Sequence, residues 1–503
     1  MNNNDIVILD TEGVKFPEHD LEKESLYQIR EKSMQETDVE VSIYIQAYNR
    51  LEKTKRCVEA VLENTEGDYE LILVDNGSDD GTFEYFQSIN HQKKIIRVTK
   101  NVGSGYPVPQ ARSMCAGRFI ATIPNDVYVT KHWLRNMLNC MKSDESIGMV
   151  VPRSTNVSNA QAVYGYQFTS IEDFMRDAEK YNEVSDPGKW EERLRLVSIV
   201  AMYRKVAWNL VGPTDSIFIH DFGEDDICAR MRLAGYKMML VGDTFIHHDH
   251  NVFAGEDKDP EEFDRLLKQG REAYKEKYNG LDAWDDILNF EYKMLEEVIL
   301  PSTATPSILG IDVRCGHPIL TLSNKLREIG VFSNQRYAFT RKAKYYRDLQ
   351  FVCGGENVEC DRIEYLDEYY GNATMDYIIL GEPINTYANP GQVFVKLMNK
   401  LKSGGCLYFK LRNTSNYKTY LHMAGKLNLI DNDMPIAITV EEMCDTVELL
   451  GATEARISLE FMDGVNANIE IIKEIAIRVA GNGDAQSVFD KLVTKNYCFC
   501  VKK

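Results

Sequence analysis

From position 41 onward the chain alternates apolar runs with amphipathic ones. Residues 41–47, 70–75, 119–123 and 238–246 are the apolar runs, whereas 53–62 and 131–141 carry apolar positions at helical spacing. Strands alternating with helices predict an α/β domain with a mostly parallel sheet. Residues 259–298 combine helical spacing with heavy charge and predict surface helices that close this first domain. Two prolines among small polar residues mark a linker at 300–306. Beyond it a second α/β pattern opens with a strand at 307–316 and a helix at 320–330. Residues 1–38 are polar and charged, with helical spacing near 21–34. The expected organisation is an N-terminal helical extension (1–38), an α/β domain (39–299), the linker (300–306) and a second α/β domain (307–503).

A chain of 503 residues is too long for one core, in agreement with this division. The net charge of −19 argues against a nucleic-acid binder, and it means that an anionic substrate needs a local cation. No apolar stretch is long enough to span a bilayer, and the N-terminus lacks the features of a signal peptide, so a cytoplasmic location is expected. The eleven scattered cysteines without a C-x-x-C pair fit reduced thiols.

Candidate chemistry sits where the apolar runs end. The run 119–123 leads into Pro124-Asn125-Asp126, Gly223-Glu224-Asp225-Asp226 precedes a helical stretch, and the run 238–246 is followed by His247-His248-Asp249-His250. Carboxylates with imidazole form a ligand set for a hard or borderline divalent cation, and a spare carboxylate nearby can serve as a general base. Three acids at a helix start are also favoured by the helix dipole, at about 0.3–1 kcal/mol each, which leaves the histidines unexplained. Upstream, Ala47-Tyr48-Asn49-Arg50 closes one strand and Asp75 the next, with Gly77 and Gly81 in the turn. Open α/β sheets bind ligands at that carboxyl edge, although Asp and Gly suit any turn.

In this order the pieces resemble a family-2 glycosyltransferase of the GT-A fold, a Rossmann-like nucleotide-sugar transferase domain. The resemblance makes Ala47, Tyr48, Asn49 and Arg50 donor contacts, largely through backbone, with Gln46-Ala47 standing where relatives carry Pro-Thr. It makes Asp75 an acceptor for the nucleoside base. The segment from Asn101-Val102-Gly103 through Gly117-Arg118-Phe119 to Asn125-Asp126 resembles the family block that ends in D-x-D, with only the last acid retained. Gly103 and Asn125 become donor contacts, and Asp126 a ligand of a metal that bridges the two phosphates. Residues 106–110 depart from the family pattern. Residues 221–249 resemble the acidic motif and the helix that follows it. Matched from the left, Asp225 is the catalytic base; matched from the right, Glu224 is, and Asp225 ranks first. His247 holds the position of the family's metal-binding histidine.

The implied activity is inverting transfer from a nucleotide-sugar donor, UDP-sugars favoured, to a hydroxyl on a glycan or protein acceptor, of hexosyl or N-acetylhexosaminyl type. Mn2+ or Mg2+ is the implied cofactor, and a homo-oligomer remains open. The polar stretch between Pro152 and Arg204 contains Tyr164, Tyr166 and Trp190, whose rings suit either sugar stacking or helix packing.

The second domain resembles a class I methyltransferase of the Rossmann type. Asp312, Arg314, Gly316 and Pro318 fall on the cofactor loop, but Arg and Pro replace two of its three glycines. Residues 375–384 and 397–413 resemble later strands of that family. A methyltransferase-like, non-catalytic domain used for acceptor binding or assembly is expected. The alternatives are an active S-adenosylmethionine-dependent methyltransferase, and a scaffold carrying a carbohydrate-binding GT-A remnant. A nucleotidyltransferase is disfavoured because residues 47–55 contain no glycine.

Overall fold

The computed structural model describes residues 6–13, 39–212, 215, 217–218, 221–249, 260–423 and 435–503. The helical stretch expected near 21–34, and His250, lie outside them. The chain divides into two compact units, Met1–Leu288 and Asn289–Lys503. No helix among the described residues is long and apolar enough to cross a membrane. All eleven cysteines carry free thiols.

The first unit is built on a ten-stranded sheet. Its strands are β1 (Ile6–Leu9), β2 (Val41–Ala47), β3 (Tyr69–Asp75), β4 (Lys93–Val98), β5 (Phe119–Pro124), β6 (Val127–Tyr128), β7 (Ile147–Ser154), β8 (Trp190–Arg193), β9 (Ala201–Arg204) and β10 (Lys237–His248). Their order is β1-β4-β3-β2-β5-β9-β7-β10-β6, with β8 also on β10. The first five strands run parallel, and β9 is antiparallel to both β5 and β7. Ile6–Leu9 is an edge strand inside the segment read from sequence as a polar helical extension. Four residues flanked by polar ones are too few to show a period.

Two buried faces explain why the central runs are continuously apolar. Ile43, Ile45, Leu71 and Leu73 pack with Val58, Val61, Trp133 and Met137 on one face. Tyr44, Ile72, Val74 and Ile120 pack with Trp208 and Met231 on the other. Successive side chains alternate between these faces, and each fully buried Leu, Ile or Val contributes about 1.5–3 kcal/mol.

The register places the functional edge. Ala47 lies beside Asp75, Gln46 beside Pro124, and Ala201 beside Thr122. The carboxyl ends of β2, β3 and β5 therefore meet the start of β9. Because β10 runs parallel to β7, and the helix Gly223–Leu233 leads back into β10, the start of that helix lies at the same edge as His247 and His248.

The second unit holds β11 (Ser307–Ile311), β12 (Gln335–Thr340), β13 (Val358–Cys360), β14 (Met375–Leu380), β15 (Leu401–Arg412), β16 (Glu454–Phe461) and β17 (Thr494–Lys502). The order is β13-β12-β11-β14-β15-β17-β16. Only β17 opposes the others, lying antiparallel between β15 and β16. Of the surface helices expected over 259–298, Pro260–Lys277 forms, whereas the remainder is turns. Asn279, Gly280 and Glu291 adopt positive φ there, which breaks the helical path that the charge pattern suggested.

Candidate active site

The edge begins with two consecutive left-handed residues, Asn49 (φ 53°) and Arg50 (φ 62°). Such backbone persists only where the surroundings fix it. The Asn49 N–H donates to Ser78 Oγ (2.8 Å), Asn49 Oδ1 accepts from the Asp79 N–H (3.0 Å), and Asp80 Oδ2 accepts from the Leu51 N–H (2.8 Å). Asn125 Nδ2 donates to Asn49 O (3.1 Å) and Thr54 Oγ1 (2.9 Å). The Ala47 carbonyl accepts from the Asn76 N–H (2.8 Å). Tyr48 projects at the strand end, half exposed.

Asp75 is fully buried. Its Oδ2 pairs with Arg97 and its Oδ1 accepts from the Ser78 N–H (3.0 Å), so both oxygens are committed to holding the turn. Its neighbour Asn76 donates through Nδ2 to Asn101 Oδ1 and Gly103 O, both at 3.3 Å, and its Oδ1 has no partner among the described residues. Gly103 (φ 112°) donates its N–H to Asn101 Oδ1 (2.9 Å). Gly77 has φ 85°, and a Cβ there would stand 2.5 Å from Asn101 N. Only glycine lets the two turns approach so closely.

Next along the edge, β6 pairs antiparallel with the end of β10, His248 facing Val127 and His247 facing Tyr128. Adjacent strand residues point to opposite faces. His247 is buried among Phe168, Phe174 and Tyr128, with ring centroids 5.2, 5.2 and 5.5 Å away, and its Nδ1 meets Thr155 Oγ1 at 2.8 Å. Burial pushes its imidazole down to about 4, so it is neutral at pH 7. It is His248 that stands beside Asp126, Nε2 to Oδ1 3.6 Å. His248 Nδ1 lies 3.3 Å from the Asn156 carbonyl. A carbonyl only accepts, so this nitrogen carries the proton and, in the neutral ring, Nε2 presents a lone pair toward Asp126. A carboxylate oxygen and an imidazole nitrogen at that spacing are both donors of the kind a cation takes.

The donor set thus fits a divalent ion bound by one carboxylate and one imidazole. Asp249 is otherwise engaged: Tyr128 donates to its Oδ2 (2.8 Å), and Lys53 pairs with the same oxygen (3.2 Å). No group of three or more His, Cys, Asp or Glu suited to a metal occurs among the described residues.

The three acids of 224–226 have different surroundings. Asp226, fully buried, accepts from Arg230 Nε (2.9 Å) and Tyr278 OH (2.6 Å) and pairs with Lys277 (2.6 Å). Asp225 is buried in a forked pair with Arg195, Nε to Oδ1 2.6 Å and Nη2 to Oδ2 3.2 Å. Glu224 is only partly buried. Its Oε1 accepts from the Ser198 N–H (2.9 Å) and Oγ (2.6 Å), and no bond engages its Oε2 among the described residues. Burial raises this carboxyl above its ordinary value, against the lowering effect of Ser198 and Arg195. Among the described residues, Glu224 is the one of the three with an oxygen that no bond engages.

Of the aromatic residues singled out for an acceptor, Trp190 is buried and donates Nε1–H to Asp243 (3.0 Å). Tyr166 packs edge-on against Phe245 at 5.2 Å. Tyr164 is 81% exposed, so only its ring face is open to a ligand.

In the second unit the corresponding edge is closed by its own side chains. Asp312 (φ 49°), nearly buried, accepts from the Arg341 N–H (2.9 Å), Arg341 Nε (2.6 Å) and Tyr387 OH (2.6 Å). The Arg341 guanidinium lies 4.2 Å from the centre of the Tyr387 ring. The residue that follows β12 is thus a cation, Arg341, not an acid.

Residues 42–195 match the model of the family described as Glycosyl transferase family 2. A chondroitin synthase of Escherichia coli is 32% identical over 119 residues, 23% of this chain and 17% of that relative. A hyaluronan synthase of Pasteurella multocida is 28% identical over 120 residues, 24% of this chain and 12% of that relative. The chain therefore spans only a small part of the length of these relatives. Among solved structures, a mannosyltransferase from Pyrobaculum calidifontis in complex with GDP-Man and Mn2+ is similar at 14% identity and a TM-score of 0.32, over 50% of this chain and 75% of that one.

Proposed function

Because residues 42–195 match the model of the family described as Glycosyl transferase family 2, we propose that the first unit is an inverting, divalent-metal-dependent glycosyltransferase acting on a nucleotide sugar. One observation carries the reading: a carboxylate with one oxygen held and the other open, Glu224, lies at the same sheet edge as the Asp126–His248 pair. The nucleoside end of the donor would lie over Ala47, Tyr48, Asn49 and Arg50. Asn76 Oδ1, without a partner among the described residues, would be the acceptor there, whereas Asp75 supports the turn. Asp126 and His248 would hold the metal, with Asn125 fixing the turn before them and His247 buttressing the strand. A divalent ion bound there would offset the charge that develops on the leaving diphosphate. Glu224 Oε2 takes the proton of the acceptor hydroxyl as its oxygen attacks the anomeric carbon, and the bond to the diphosphate breaks on the opposite face. One displacement inverts that carbon. UDP-sugars and a glycan or protein acceptor are our preferred substrates, and the similarity to glycan synthases supports the glycan.

Wild-type protein is expected to release nucleoside diphosphate from one member of a panel of UDP-, dTDP- and GDP-sugars with Mn2+ or Mg2+, and to stop in chelator. Silence across the panel in both metals would count decisively against the reading.

For the second unit, the strand order supports a methyltransferase-like fold, and the Asp312–Arg341–Tyr387 cluster supports a non-catalytic role. A calorimetric titration of the full chain with S-adenosylmethionine is expected to show no saturable binding up to about 1 mM, which limits any binding free energy to roughly −4 kcal/mol or weaker. Micromolar binding would restore the methyltransferase alternative.

A further inference from the structure

We propose that Ser198 is the positioning residue that aims Glu224 at the acceptor proton, with Gln161 fixing Ser198 in turn; this rests on the glycosyltransferase reading above. Both Ser198 donors converge on the same oxygen of Glu224, N–H at 2.9 Å and O–H at 2.6 Å. A carboxylate held on both oxygens, as Asp225 and Asp226 are, has little left to offer a proton. A carboxylate held on neither would swing among rotamers. Holding one oxygen fixes the direction of the other.

Ser198 is itself fixed from the neighbouring loop. The side-chain amide of Gln161, 1% exposed, accepts from the Val197 N–H (2.7 Å) and donates to the Val197 carbonyl (2.9 Å). It acts as one link of a strand laid along the segment 195–198. Asn159 Nδ2 adds a bond to the Arg195 carbonyl (2.9 Å). The same segment supplies Arg195, which ties up Asp225. A short stretch of chain thus neutralises one acid and orients its neighbour. The loop that clamps it also carries the exposed Tyr164.

The charged and titratable groups facing Glu224 are Arg195, Asp225 and Tyr203. The Ser198 hydroxyl stabilises the ionised carboxylate, so its loss raises Glu224 further. A base that must be ionised then needs a higher pH, and the acid limb of kcat moves up by about half to one pH unit.

The test is nucleoside-diphosphate release across pH for wild type, S198A, S198T, S198C, E224Q and S198A/E224Q, using whichever of UDP-N-acetylglucosamine, UDP-glucose, UDP-galactose or GDP-mannose the wild type consumes. S198A is expected to lower kcat about ten- to hundredfold with KM little changed and the acid limb displaced upward. S198T restores most of the loss, and S198A adds nothing in the E224Q background. S198C, nearly the same shape with a weaker donor, must show the same upward displacement whether or not S198A folds. An unmoved limb in S198C, or a full additional loss in the double variant, overturns the role of Ser198 alone. A wild type that consumes none of the donors overturns the underlying reading and this role with it.

Discussion

Glu224→Gln is expected to lower kcat about 10²–10⁴-fold, the range of a positioned general base, with little change in donor binding. Glutamine keeps the shape, and its carbonyl can still accept both Ser198 donors; only the proton-accepting oxygen is lost. Asp225→Asn differs in kind. It leaves Arg195 buried without its charge partner, which costs about 3–5 kcal/mol when one member of a buried pair is removed. Its damage therefore appears first as a lowered Tm. Because burial raises the Glu224 carboxyl, and the base must be ionised, the acid limb of kcat/KM should stand above the ordinary carboxylate value of about 4.3. In E224Q that limb should vanish from the residual rate. Equal losses of kcat in D225N and E224Q at unchanged Tm would shift the role of base back to Asp225.

Sequence located this trio and put Asp225 ahead of Glu224, but the surroundings that separate its members were not legible there, and the reason is geometric. Consecutive helical residues point about 100° apart, so 224, 225 and 226 each meet a different partner: Ser198, Arg195, and the set Arg230, Lys277 and Tyr278. Apart from Arg230, one helical turn on from Asp226, those partners are distant in sequence, and nothing at the trio announces them. The strand ends at Ala47 and Asp75 were legible because apolar runs stop abruptly in turn residues. The exposure of the groups beyond them was not, since Arg97 closes over Asp75 from the adjacent strand. Gln161 gave no signal at all: a buried glutamine clamping a backbone looks like any other polar residue in a polar stretch. In the second unit the Arg and Pro replacements in the loop were visible, but the use of Asp312 to anchor Arg341 depends on the pairing of β11 with β12.

The histidines separate by the same period-two logic, and this yields the other large expected effect. Asp126→Ala and His248→Ala should each lower metal-dependent turnover about 10²–10³-fold, the usual loss when one stabiliser of a developing negative charge is removed. In H248A the residual activity should need markedly more Mn2+ to saturate. His247→Ala removes a ring packed against Phe168, Phe174 and Tyr128. It should cost on the order of 2–5 kcal/mol of stability, as large-to-small changes in a core do, with a metal requirement near that of wild type. The discriminating measurement is the Mn2+ concentration giving half-maximal nucleoside-diphosphate release, read beside a melting curve. A strand places 247 and 248 on opposite faces, so only one of them can face Asp126. The approach of His248 Nε2 to within 3.6 Å of Asp126 Oδ1 makes that one His248. A raised Mn2+ requirement in H247A with H248A unaffected would reverse the assignment and mean that the end of β10 turns over when donor and metal bind.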